Sequence, residues 1–184
     1  MPDERGLVRR AAAGEAAAFE EIVQMHQQGV YRVVLGVVGN SFDADDLTQE
    51  TFIRAHREMG GFRGHSSLKT WLTRIALNVA RDHLRRDRVR AVLPLGRREE
   101  ECLPAEGADP ERCLMSRQLG QGLAGFLAKL SERERVVFSL RFAGGHSLPE
   151  IAELTEAGLS TVKTHLYRAL AKARLVLRRE EDHE

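Results

Sequence analysis

Arg74, Asn78, Arg81 and Arg85 are spaced three or four residues apart and fall on one line of a helix, in the run KTWLTRIALNVARDHLRR (residues 69–86). A row of guanidinium groups suits phosphate oxygens, which they grip with paired N–H donors. An asparagine amide set among them both donates and accepts, as recognition of a base edge requires. Thr70 continues the line toward the N-terminus. The other face of the same helix carries Leu68, Trp71, Leu72, Ile75, Ala76 and Val79, which reads as core, with Trp71, the only tryptophan, as a packing anchor. An ordinary solvated helix alternates charge signs to gain i,i+4 pairs, and this one has few acids. A helix lying on a membrane would need bulky apolar residues on its free face, where only Leu77 is offered. The chemistry indicated is contact with a nucleic acid.

The whole-chain charge conceals this. Of 184 residues, 28 are Lys or Arg and 27 Asp or Glu, a formal net charge of +1. The charges lie in blocks. Residues 61–90 hold Arg63, Lys69, Arg74, Arg81, Arg85, Arg86, Arg88 and Arg90 against Asp82 and Asp87. Residues 160–179 hold Lys163, Arg168, Lys172, Arg174, Arg178 and Arg179 and no acid. Between them, residues 99–112 carry Glu99, Glu100, Glu101, Glu106, Asp109 and Glu111 against Arg112. Two basic blocks flanking an acidic one point to polyanion contact at two separate places.

The elements needed to position these residues are helical. Residues 9–29 are alanine-rich with Phe19, Ile22, Val23 and Met25 at helical spacing, and residues 31–38 read as a buried helix. Gly39-Asn40 is a stop, Asp43 an expected N-cap, and Asp45 and Asp46 favour the positive end of the next helix dipole. Gly60-Gly61 ends that helix, and Ser66 or Ser67 starts the one quoted above. Residues 91–117, with Pro94, Pro104, Pro110 and the acidic run, read as a flexible linker. Beyond it, Ser131 with Glu134 and Ser147 with Glu150 form two capping boxes. A short helix over residues 148–154, a turn containing Gly158 and a long basic helix complete a helix-turn-helix layout. The expected fold is all-α: a helical domain over residues 1–90, a linker over 91–117 and a helix-turn-helix domain over 118–184.

Enzyme readings fail on motifs. There is no phosphate loop, no HExxH and no G-x-S-x-G, and the seven histidines show no metal-ligand pairing. A calcium loop beginning at Asp43 lacks a glycine at its sixth position and has Arg54 at its twelfth. Cys102 and Cys113 suffice for neither a disulfide scaffold nor a closed zinc site. No catalytic residue, metal or cofactor is expected. The N-terminus lacks a signal-peptide core and no run is apolar enough to span a bilayer, so a soluble, cytoplasmic chain without membrane insertion is expected.

DADDLTQETF (residues 43–52), FRGHSSLKTWLTRIALNVARDHLRR (residues 62–86) and LSERERVVFSLRF with SLPEIAEL and STVKTHLYRALAKAR resemble the two regions of a bacterial extracytoplasmic-function (group 4) sigma factor of the sigma-70 family. The likeness spans roughly residues 19–90 and 118–178. It implies a promoter-specificity subunit that binds core RNA polymerase, recognises −35 and −10 elements and promotes melting of the latter. Asp46, Gln49, Glu50, Ile53 and Arg54 would face the β′ clamp helices, while Leu47, Phe52 and Ala55 turn inward; the β flap would be a second polymerase contact. Phe62, Arg63, Ser66 and Asn78 would hold an unstacked −10 base, with Arg74, Arg81 and Arg85 on phosphates. Ser160, Thr161, Lys163, Thr164, His165 and Arg168 would meet the −35 major groove. An anti-sigma factor is implied as a further partner.

The sequence departs from the family pattern at His65, where aspartate is usual, at Leu68, where an aromatic is frequent, and at Glu156, where glycine is typical. Elements about 25 base pairs apart lie roughly 85 Å apart at ~3.4 Å per pair, within the ~90–97 Å reach of an extended linker of this length. The linker's acidic run would either mimic nucleic acid in a basic polymerase channel or serve solubility. A conventional helix-turn-helix regulator of LuxR-like type accounts for the last third alone, leaving DADDLTQETF and TWLTRIALNVA without a task. An interaction module that binds no DNA would not need two basic blocks.

Overall fold

The computed structural model describes residues 4–92 and 125–181, and all the regular structure among them is helical. The expected linker, residues 91–117, lies almost wholly outside the described residues. The first lobe contains α1 (Glu4–Ala12), α2 (Ala16–Val38), α3 (Ser41–Glu58), a 3-10 turn (Met59–Gly61) and α4 (Leu68–Val92). A turn of helix at 125–128 precedes α5 (Glu132–Phe142), α6 (Leu148–Thr155) and α7 (Leu159–Glu181) in the second lobe.

Local signals explain most boundaries. The alanine-rich opening is two helices rather than one, broken at Gly14 with φ +91°. From Ala16 the second runs on through Tyr31–Val38, so that apolar stretch is helix. It stops at Gly39, in the left-handed region at φ +89°, whose N–H bonds to the Leu35 carbonyl at 2.8 Å. The N-cap of α3 is Asn40, not Asp43: the Asn40 side chain accepts the Asp43 N–H at 2.8 Å, and Ser41 and Phe42 are already helical. Ser67 opens α4 by accepting the Thr70 N–H at 3.1 Å. Both capping boxes form, Ser131 with Glu134 and Ser147 with Glu150. Glu134 is buried, which would raise its pKa, but hydrogen bonds from Lys172 and Ser131 hold it below the ordinary value.

Three apolar clusters hold the chain together. The first joins α1, α2, α3 and one face of α4 through Ile22, Val34, Leu47, Phe52, Ala55, Leu72, Ile75 and Val79, among others. The third packs Phe126, Leu127 and Leu130 onto Ala169 of α7. The second crosses between lobes: Val33 and Val37 of α2 and Leu77 and Ala80 of α4 share one interior with Val136, Val137, Leu140, Ile151, Leu154, Val162 and Leu166. Leu77, assigned to the free face from sequence, is therefore only 1% exposed, and Thr70, assigned to the basic line, is 3% exposed. Both expectations missed because the surface that covers them is the other lobe.

The turn between α6 and α7 carries the one non-glycine residue with positive φ among those described, Glu156 at φ 53°, ψ 36°. An L side chain in that region costs about 1 kcal/mol, which glycine avoids. Glu156→Gly is expected to raise stability by up to about 1 kcal/mol, read as an upward shift in denaturant midpoint.

A half-buried histidine, His26, and a buried one, His146, impose a pH dependence. Burial pushes the His26 and His146 pKa values below the ordinary 6.5, Lys69 adding to the effect at both and nearby carboxylates opposing it. Groups lowered in the fold bind protons more readily once unfolded, so their stabilising contribution is complete above 6.5 and is lost as pH falls toward the folded values. Thermal midpoints are expected to drop between about pH 7.5 and pH 5.5. The lowered carboxylates Glu134 and Glu150 add no slope there, because theirs lies below 4.5.

Candidate nucleic-acid interface

The exposed ridge of α4 begins at the loop before it. Phe62 closes the 3-10 turn through its N–H to the Met59 carbonyl at 3.1 Å, and Gly64 turns the loop at φ +72°. Arg63 is exposed and Ser66 half-buried. The Phe62 ring lies against Trp71, centroids 5.0 Å apart and planes tilted by 50°. Trp71 is half-buried rather than fully enclosed, and it stands three and seven residues before Arg74 and Asn78, both exposed. The sequence reading favoured packing for Trp71 over base stacking. The Phe62–Trp71 pair instead forms a partly open aromatic surface next to the basic ridge, and the i+3, i+7 spacing was its signal.

Further along, Arg81 is half-buried and Arg85 exposed. Asp82 moderates the ridge: its carboxylate lies 3.2 Å from Arg85 Nη2 and 3.9 Å from Arg54 Nη1. The face thus brings together the aromatic pair, an amide and three guanidinium groups, with one acid at its far end.

On α3, Asp46, Gln49 and Ile53 are exposed and Glu50 and Arg54 half-buried, while Leu47, Phe52 and Ala55 pack inward. Arg54 Nε donates to Glu50 at 2.7 Å. Phe42, 46% exposed near the start of the same helix, was not singled out from sequence, although an aromatic beside an N-cap on a polar helix is the kind of residue an interface uses. Two helix-bridging clusters join α3 to α4: Glu50–Arg54–Asp82–Arg85, and His83 Nε2 at 3.0 Å from Asp43 and 2.9 Å from Asp87.

In the second lobe Ser160, Thr161, Lys163, Thr164 and Arg168 are exposed on α7, with His165 half-buried. Val162, Leu166 and Ala169 hold the helix to its lobe from the opposite side. Tyr167, 67% exposed, stands on the same outer surface. The first turns of α7 therefore offer hydroxyls, an ammonium and a guanidinium together, on a helix rigidly packed behind, the arrangement of a major-groove reader. Thr161 and His165 share with Arg81 of α4 a cleft of about 440 Å³.

Residues 22–90 match sigma-70 region 2, and residues 122–172 match sigma-70 region 4. The chain is 31% identical over 177 residues to the RNA polymerase sigma-H factor of Pseudomonas aeruginosa, covering 89% of this chain and 88% of that one. It is 30% identical over 177 residues to the ECF RNA polymerase sigma factor SigW of Bacillus subtilis, covering 93% and 95%. Its fold superposes on CnrH, solved in complex with the cytosolic domain of CnrY, with a TM-score of 0.72 and 26% identity over 95% of this chain and 97% of that one.

Arg74 is exposed, and among the described residues it is not part of the ion-pair network around Asp82. Arg74→Ala is expected to weaken DNA binding by a similar factor on every sequence and to lower the slope of log K against log salt by about 0.9, measured by titration at several salt concentrations.

Proposed function

Because the chain belongs to the extracytoplasmic-function group of sigma-70 RNA polymerase sigma factors, we propose a division of its work among the surfaces described above. The chain is a DNA-binding initiation factor that directs RNA polymerase to promoters. Residues 1–90 form the lobe that binds core polymerase and the −10 element, residues 118–184 the lobe that binds the −35 element, and residues 91–117 the spacer. Asp46, Gln49, Glu50, Ile53 and Arg54 meet the β′ clamp helices. Phe62, Arg63, Ser66 and Asn78 hold a base drawn out of the −10 duplex, and Arg74, Arg81 and Arg85 take the phosphates beside it. Ser160, Thr161, Lys163, Thr164, His165 and Arg168 face the −35 groove. The chain acts in the cytoplasm, where the polymerase is, and an anti-sigma factor is its regulatory partner, as CnrH is found with CnrY.

The observation that carries this reading is the exposed line from Trp71 through Arg74 to Asn78, set directly behind the Phe62–Ser66 loop. Extruding a base costs a few kcal/mol of lost stacking, which an aromatic surface and an amide together offset. A duplex-only reader needs no such aromatic. The match of residues 22–90 to region 2 does not favour a conventional helix-turn-helix regulator, which has no use for that lobe.

Two measurements test it. The chain is expected to co-purify with core RNA polymerase and to support run-off transcription from a subset of genomic fragments; no association with core refutes the reading. Asn78→Ala is expected to reduce open-complex formation about tenfold or more while leaving closed-complex binding within about twofold, the loss of one good base contact being worth ~1–3 kcal/mol. Equal loss at both steps removes the base-holding role.

A further inference from the structure

His83 sits between two aspartates that come from two different helices. It lies on α4 one turn before Asp87, the i,i+4 spacing that puts both side chains on one helix face. Asp43, in the first turn of α3, meets them from across the helix pair. His83 Nε2 is 3.0 Å from Asp43 Oδ2 and 2.9 Å from Asp87 Oδ2. The three donor atoms lie within 4.8 Å of one another, so at most a small rotation of a carboxylate gathers the set around one point. Among the described residues this is the one place where three carboxylate, imidazole or thiol groups converge so closely. Spacing along the chain hides it, because Asp43 and His83 belong to different helices.

The direction of the ring nitrogen separates this cluster from an ordinary ion pair. Nε2 is sealed from solvent, yet neither carboxylate lies where the ring could donate a hydrogen bond to it. Groups that pair with each other aim at each other, whereas donors around a cation aim at a common point between them. Ligands ~2.0–2.2 Å from a metal, at tetrahedral or octahedral angles, stand about 2.9–3.5 Å apart, which both nitrogen–oxygen distances match. Side-chain exposure rises from 19% at His83 through 30% at Asp43 to 45% at Asp87, so an ion has an entry on the Asp87 side. Asn40 supports the set from behind. Its Nδ2 donates to Asp43 Oδ2 and its Oδ1 accepts the Asp43 N–H at 2.8 Å, fixing that carboxylate as outer partners fix metal ligands.

We propose that Asp43, His83 and Asp87 form a site for a divalent transition cation, Zn²⁺ being the best fit, that braces α3 against α4. Two carboxylates and one imidazole supply compensating charge and the mixed oxygen and nitrogen donors that zinc takes, with water completing the fourth position. Mg²⁺ and Ca²⁺ prefer oxygen alone and copper(I) prefers sulfur, so none of these suits a set centred on an imidazole. None of the three residues is among those assigned above to polymerase or DNA, so the zinc site stands or falls apart from those roles.

The test uses the untagged full chain with Cys102 and Cys113 replaced by serine, stripped with a chelator and titrated with ZnCl2 by calorimetry. One zinc per chain is expected, together with a rise in thermal midpoint on adding zinc. His83→Gln and Asp87→Asn, each retaining parental helicity by circular dichroism, are expected to bind zinc at least about tenfold more weakly and to lose most of that rise. MgCl2 is expected to give neither binding nor stabilisation. In the isotope-labelled parent, Co²⁺ is expected to broaden the amide signals of residues 40–43 and 83–87 and to spare those around His26 and His146. Absence of stoichiometric zinc, undiminished affinity in both variants, or broadening centred elsewhere overturns the site. Magnesium bound as tightly as zinc overturns a site built on the imidazole nitrogen.

Discussion

Helix α4 has to bury two of its faces in two different interiors and leave a third to solvent. Leu68, Leu72, Ile75, Ala76 and Val79 belong to the first lobe's core, and Leu77 and Ala80 to the seam with the second lobe. Trp71, Arg74, Asn78 and Arg85 remain at least partly open. At 100° per residue, a 25-residue helix has circumference enough for all three only if each is a narrow stripe. Much of the fold follows from that division. α1, α2 and α3 wrap the first stripe, the helix-turn-helix lobe covers the second, and what is left is the ridge on which the DNA reading rests.

On the proposed reading the α3 surface meets polymerase and the α4 ridge meets DNA, which requires a defined angle between the two helices. The Glu50–Arg54–Asp82–Arg85 chain and His83 between Asp43 and Asp87 fix that angle across the helix pair. These groups are partly exposed, and such pairs contribute about 0–1 kcal/mol each. Their part is orientation, with stability coming from Leu47, Phe52 and Ala55 beneath them. Arg54 and Arg85 are thus tied to one another through Asp82, and a partner that draws on either guanidinium changes what the other is free to do.

What the sequence disclosed and what it hid divide along a physical line. Helices, capping boxes and the outward residues of α3 and α7 were legible because they depend on contacts within a few residues, such as Ser131 with Glu134. The cap of α3 was misplaced by three residues because Asn40 and Asp43 are chemically equivalent candidates, separated only by whether Ser41 and Phe42 are already helical. Leu77 and Thr70 were misread for a different reason. Periodicity reports that a residue lies on a face, but not what comes to cover that face from eighty residues away. Gly36 interrupts the apolar run of residues 31–38 with no local reason. Its cause, Ser139 pressing on the backbone, lies in the other lobe.

The residues at the seam set how closely the two lobes pack. Here the nearest approach uses Gly36 against Ser139, and Ala80 supplies a methyl where a leucine would bury far more. Val33, Val37 and Leu77 contribute about 1.5–3 kcal/mol each when fully covered. Against this stands an Arg135 guanidinium taken partly out of water without a hydrogen bond at Nε. Small residues at the crossing let α2 and α5 approach closely, while Val33, Val37 and Leu77 around them supply the apolar contact.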